Sequence, residues 1–251
     1  MSGNSGSFDL ATRRDWGAAL NALRQLLSNA DDTAQVFRIM RALNAGSAGK
    51  GYARLLRTEA GGRIAYRRTE LARLLSDASF VASCPPSSVG AAYADFLTRT
   101  GYSAKGLAAV SMEDGMASEA EHPHAWFGRR TRDVHDIWHI LTGYRADDPL
   151  GEACLVAFSY AQTGGLGWAF IALGAAFKAC RTPGGGGALR AIREGYRNGR
   201  RAAWLLGEDY EAILSEPLDA ARIRLRIARP AAYETMGSER AGFFRTSPVA
   251  S

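Results

Sequence analysis

The stretch that most limits the fold runs from Ala153 to Phe177 and reads ACLVAFSYAQTGGLGWAFIALGAAF, 25 residues without a charge. Such a run must leave water, either in a bilayer or in a protein interior. It is long enough to span a bilayer. However, Ser159, Gln162, Thr163 and the Gly164–Gly165 pair interrupt it. These residues suit two helical segments, or one bent helix, inside a water-soluble core. The many glycines and alanines also leave room for a ligand, so the segment reads as one wall of a large apolar cavity.

The rest of the chain reads as helices that cover this segment. Apolar residues recur at helical spacing from Leu10 to Ser28, among them Trp16, Leu20, Leu23 and Leu27. Asp31, Asp32 and Thr33 offer an N-cap to a helix carrying Val36, Phe37, Met40 and Leu43. NAGSAGKG, residues 44–51, reads as a glycine-rich loop without the lysine–serine/threonine pair of a phosphate-binding loop. Gly61 and Gly62 read as a turn, and Ile64 to Leu75 as a helix with a basic face. Pro85 and Pro86 break the chain. Val89 to Thr100 is a helix with Gly101 as its stop. Leu107 to Ala117 is less periodic, and His122 and His124 read as loop histidines. TPGGGGALR, 182–190, reads as a loop before an arginine-rich helix, and Glu208–Leu214 with Pro217–Ile227 as a terminal hairpin. No alternating strand pattern appears. The fold class expected is therefore all-α. Residues 1–9 read as a disordered N-terminus, 10–236 as one helical domain and 237–251 as a tail.

Hydrophobic content of 47% is ample for one core, and the net charge of +6 comes almost wholly from arginine. That charge favours an anionic partner. A membrane surface suits it better than nucleic acid, because no nucleic-acid-binding motif is visible. Cys84, Cys154 and Cys180 lack metal or redox spacing and read as buried small hydrophobes. The N-terminal MSGNSGSFDLATRRDWG lacks an apolar secretory core, and Asp9 and Asp15 argue against a transit peptide. The expected location is cytoplasmic, with peripheral attachment to a membrane on that face.

Chemistry concentrates in RDVHDIWHILTGYRADDPLGE, Arg132 to Glu152. On a helix, His135 and His139 lie one turn apart on one face. Asp136 is close enough to ligate or to orient an imidazole. Gly143 ends that helix, Asp147, Asp148 and Pro149 make a turn, and a second helix carries Glu152 in its first turn. An antiparallel pair would bring Glu152 back to the histidines. Two imidazoles with one or two carboxylates suit a divalent metal, with zinc first and iron second.

His-Asp-x-x-His, then Leu-Thr-Gly, then Leu-Gly-Glu resembles the signature of the Coq-four family of ubiquinone (coenzyme Q) biosynthesis proteins. The gap from Ile140 to Gly151 is one residue longer here than in that pattern, with the extra residue in the turn around Ala146 to Asp148. The resemblance implies a metal-binding, membrane-associated helical protein, fairly expected to be a homodimer. Its partners would be a polyprenylated quinone precursor and other ubiquinone biosynthesis enzymes, whose complex it would help organise, and no nucleic acid. It implies removal of the carboxyl group at ring carbon one of a polyprenylated 4-hydroxybenzoate intermediate, with a reported oxidative course. His135, His139 and Glu152 would then hold the metal. Asp136 would serve as fourth ligand or orienting group, and either it or a metal-bound water as the general acid. The alternative expectation is a non-catalytic polyprenyl-lipid-binding scaffold.

Overall fold

A computed structural model describes residues 14–29, 32–101 and 122–236. The expected N-terminal residues 1–9, the weak pattern from Leu107 to Ala117 and the tail at 237–251 lie outside them. Among the described residues there are helices and no strand; one isolated bridge joins Ser88 to Pro217. The described residues form a single helical domain.

The uncharged segment resolves into two helices, α10 (Pro149–Thr163) and α11 (Leu166–Arg181). Gly164, at φ 66°, ends the first, a left-handed turn that favours glycine. The start of α11 is capped from far away: the Asn44 side chain accepts from the Gly167 N–H at 2.8 Å. Nearly every side chain of α10 from Leu150 to Ser159 is buried in the core. Its main partner is α12 (Gly186–Arg201), and small residues set how near the two come. A Cβ on Gly195 would sit 2.4 Å from the Cys154 carbonyl oxygen, and one on Gly199 2.6 Å from that of Phe158. Gln162 then ties their ends together. Its amide donates to the Gly199 and Ala203 carbonyls and accepts from the Leu205 N–H. No described helix is long and apolar enough to cross a membrane.

Around this centre stand α1 (Trp16–Ser28) and α2 (Thr33–Leu43), which pack on each other and on α11. Asp15 caps α1 through the Ala18 N–H, whereas Asp32 at the start of α2 accepts from Gln35 instead. α7 (Val89–Thr100) ends at Gly101 as its spacing predicts, with Tyr93 and Phe96 buried.

Three expectations about glycines need correction. The run 44–51 is not a loop throughout, because α3 (Ser47–Leu55) begins inside it. Gly51 lies within that helix, and its missing side chain leaves room for the Phe127 ring, 2.3 Å from where a Cβ would sit. The Gly61–Gly62 pair is likewise inside α4 (Glu59–Arg67), where a Cβ on Gly61 would strike the Leu55 carbonyl. And α12 already starts at Gly186, within the 182–190 stretch. Gly51 and Gly61 thus serve close approach, while Gly46 and Gly184, at φ 73° and 78°, still turn the chain. The basic segment from Ile64 is also two helices. Arg68 turns left-handed at φ 47°, and α5 (Leu71–Leu75) follows, a break that no glycine or proline announces. Short helices complete the chain: α6 (Ala78–Ser83), α13 (Tyr210–Ser215), α14 (Leu218–Arg224) and α15 (Ala231–Thr235).

Candidate metal centre

α8 (Pro123–Asp133) and α9 (His135–Thr142) adjoin at Val134, which is fully buried. The side chain of Asp133 is buried beside Arg132 and accepts from the Ala72 N–H at 3.1 Å, anchoring this corner to α5. α9 is short and buried on most sides, with Ile137, Trp138 and Leu141 in the core. Gly143 ends it at φ 79°, and the chain reverses into α10. Asp148 caps α10 by accepting from the Leu150 N–H at 3.0 Å. That cap is itself held, because the Tyr233 hydroxyl of α15 donates to its other oxygen at 2.6 Å. Gly151 lets the turn close tightly, since a Cβ would lie 2.1 Å from the Arg145 carbonyl oxygen. Glu152 follows and faces α9.

His135, His139 and Glu152 each offer one ligand atom, and the three atoms lie within 4.8 Å of one another. Glu152 approaches His139 Nε2 at 3.1 Å and His135 Nε2 at 3.6 Å. The imidazole rings stand 5.0 Å apart, nearly perpendicular. His139 Nδ1 donates to the Tyr144 carbonyl at 2.8 Å. A carbonyl only accepts, so the proton belongs on Nδ1 and the lone pair on Nε2. With the proton on Nδ1, that Nε2 has no hydrogen to offer the Glu152 oxygen 3.1 Å away and is buried without a hydrogen-bond partner. Two imidazole nitrogens and a carboxylate around an orphaned lone pair fit a first-row divalent cation.

His135 is oriented differently. Its Nδ1 is buried with no hydrogen-bond partner, and its ring lies flat against Trp168 of α11, 5.5 Å between centroids and 13° from parallel. Phe96 of α7 stacks on the far imidazole, 6.2 Å from His139. Exposure is uneven: 2% for the His139 side chain, 18% for His135 and 39% for Glu152. The group therefore opens toward Glu152 and His135, as a centre that admits a further ligand requires.

Electrostatics tie the three together. Burial alone would raise the Glu152 carboxyl, but the imidazoles of His139 and His135 beside it hold it well below the usual carboxylate range. Burial alone would lower His139, yet Glu152 and the Tyr144 carbonyl raise it on balance. Asp136 is buried beside the group and is not one of its three converging ligands. Burial pushes its carboxyl up, against the opposing charges of His135 and His139. Its charge also reaches Tyr93 of α7, whose hydroxyl is buried and unpartnered. His122 and His124 are elsewhere. His122 caps α8 through the His124 N–H, and His124 packs on Tyr52.

Residue spacing pointed to the histidines and to Glu152. Nothing in it pointed to the Tyr144 carbonyl, Trp168 or Tyr233, which act from a turn, from α11 and from α15.

The family model described as coenzyme Q (ubiquinone) biosynthesis protein Coq4 matches residues 20–231, a span that includes the whole centre. The chain belongs to this family. A mitochondrial ubiquinone biosynthesis protein coq4 from Pyrenophora tritici-repentis is 31% identical over 182 residues, 70% of this chain and 58% of the relative. Its counterpart from Phaeosphaeria nodorum is 29% identical over the same extent, and that of Neurospora crassa 33% over 106 residues, 41% of this chain and 28% of the relative. The chain thus spans under two thirds of the curated relatives it matches. A crystal structure from Nostoc punctiforme, provisionally described as a ubiquinone biosynthesis protein, shares the fold. Its TM-score is 0.60 at 20% identity, covering 85% of this chain and 99% of that one.

Proposed function

We propose that this protein acts at a membrane surface in ubiquinone biosynthesis, where it uses a divalent metal to remove the ring carboxyl group of a polyprenylated 4-hydroxybenzoate intermediate. The observation that carries this reading is the convergence of His135, His139 and Glu152 around the unpartnered His139 Nε2. Family membership supports the pathway, and the donor set supports the metal.

A bound zinc ion would supply Lewis acidity toward a ring oxygen or the carboxylate, and iron would add access to dioxygen chemistry. The protein supplies the rest. The Tyr144 carbonyl holds His139 in one tautomer, Trp168 fixes the plane of His135, and the capped start of α10 presents Glu152. The more exposed side, at Glu152 and His135, is where the aromatic ring would enter. Asp136, kept above the usual carboxylate range by burial, retains a proton more readily than an exposed aspartate and serves as general acid. In the non-oxidative course, the bond from ring carbon one to the carboxyl carbon breaks and carbon dioxide leaves. That bond breaks after Asp136 has protonated ring carbon one and the para-hydroxyl has given up its proton to become the ring ketone, so the electron pair flows into the ketone oxygen and one proton then restores the phenol. In the oxidative course, dioxygen is the oxidant: one of its atoms would join ring carbon one as the carboxyl group leaves as carbon dioxide, the other would leave as water, and the ring product would be the quinone.

The test is elemental analysis of the purified protein and of a His135→Ala, His139→Ala double variant, followed by turnover of a polyprenylated 4-hydroxybenzoate. Near-stoichiometric zinc or iron lost in the variant, together with carbon dioxide release by the wild type, supports the reading. Metal without turnover by the loaded protein leaves the lipid-binding scaffold. Absence of metal from both overturns the centre.

A further inference from the structure

The uncharged segment is only partly absorbed by the core. Its second half, α11, is buried on the side facing α2, α10 and α12 and, among the described residues, bare on the other. Leu173 is 68% exposed and Phe177 56%. α1 lies alongside. The Trp16 ring meets Phe170 edge-on at 6.0 Å, and Leu23 occupies the space above Gly174. Trp16 and Leu20 of α1 are also exposed, at 53% and 42%. Phe170, Leu173 and Phe177 fall at i, i+3 and i+7, so they form one stripe that starts where Trp16 touches it. Single exposed apolar side chains are ordinary, but four large ones on two adjoining helices mark an interaction surface.

Charge identifies the partner. The α1 stripe Trp16–Leu20 continues one turn on to Arg24, which is exposed. The α11 stripe continues to Arg181, whose guanidinium lies 4.4 Å over the Phe177 ring. Neither helix contains a carboxylate, and Asp15 before α1 is engaged as its cap. An apolar patch of aromatic and leucine side chains ending in arginines suits a bilayer interface. There the rings and leucines enter the acyl boundary while the arginines meet anionic headgroups. A second copy of the chain suits it poorly, since a two-fold contact through this patch brings like charges together.

We propose that the exposed face of α1 and α11, bearing Trp16, Leu20, Leu173 and Phe177, docks on an anionic lipid bilayer. The proposal rests on the membrane-surface reading above and names the face. It also gives that face a purpose, because α11 carries Trp168 against His135 at one end. Docking there sets the metal centre about three turns of helix or less from lipid, within reach of a substrate whose tail stays in the bilayer.

The test is co-flotation of the full chain with vesicles made of equal parts phosphatidylcholine and phosphatidylglycerol, and with phosphatidylcholine alone. Wild type should bind the mixed vesicles strongly and the neutral ones weakly. Leu173→Glu with Phe177→Glu should weaken partitioning roughly a hundredfold. Ile223→Glu, at an exposed apolar residue on α14, should leave it unchanged. Arg24→Glu with Arg181→Glu should remove the preference for the anionic lipid, and serves even if the first double variant folds poorly. Circular dichroism and metal content check each variant. Strong binding by the wild type that survives both double variants overturns this face while leaving membrane attachment intact. No binding to either vesicle overturns both. A dimer that the leucine–phenylalanine variant dissociates, with vesicle binding unchanged, assigns the face to a second copy instead.

Discussion

At the residue scale, the metal centre depends on side chains that never touch the ligand position. Tyr233 donates to Asp148, and Asp148 caps the helix that presents Glu152. Tyr233→Phe removes one buried hydroxyl and leaves the ring packed beside Tyr144. Equilibrium dialysis should show metal affinity falling about 10-fold or more, as for other outer partners of metal ligands. Denaturation in urea should show a loss of only about 1–2 kcal/mol. A second residue-scale case is Asp209. Burial would raise its carboxyl, but the hydrogen bond and charge of Arg67 lower it on balance. A carboxyl depressed by folding stabilises the protein above its unfolded value, about 3.9, and stops doing so as pH falls through the folded value. Asp209→Asn should therefore be less stable than wild type at neutral pH, with the gap closing below about pH 4. Because the pair is partly exposed, added salt should narrow the gap as well.

At the element scale, the protein is built on how closely α10 and α12 approach. Gly195→Ala would place a methyl group against the Cys154 backbone, which cannot swing away as a side chain could. Its cost should be about 1–3 kcal/mol or more by chemical denaturation. Gly128 in α8 is a useful contrast, since nothing lies within 4 Å of a Cβ built there. Gly128→Ala should instead stabilise by about 0.5–1 kcal/mol through helix propensity. The pair of outcomes separates glycine that packs from glycine that merely occupies a helix. A sequence read alone cannot make that separation. The runs at 44–51 and 61–62 look like turns because glycine is the residue of turns. In the fold Gly51 and Gly61 lie inside helices and make room for the Phe127 ring and the Leu55 carbonyl, whereas Gly46 does turn the chain.

At the scale of the whole molecule, metal binding and folding should be coupled. The three ligands come together only when α9 and α10 have folded back on each other, so a metal that binds them stabilises the native state. Removing it with a chelator should lower Tm on the order of 5–10 °C, taking about 2.7 kcal/mol of linkage at a hundredfold excess over Kd. The His135→Ala, His139→Ala protein should show no such response. What the sequence by itself determined are the features set by local geometry. The i, i+4 spacing puts His135 and His139 on one face, and Gly143 and Asp148 define the reversal to Glu152. The absence of charge from Ala153 to Phe177 keeps most of the segment from water, and the Gly164–Gly165 pair marks where it breaks or bends. Tertiary structure alone decided which face of α11 stays bare, that Trp168 supports His135, and that Tyr144 leaves His139 Nε2 unpaired. The physical reason is range: spacing and capping act within a few residues, whereas packing and hydrogen-bond pairing join residues that only the folded chain brings together.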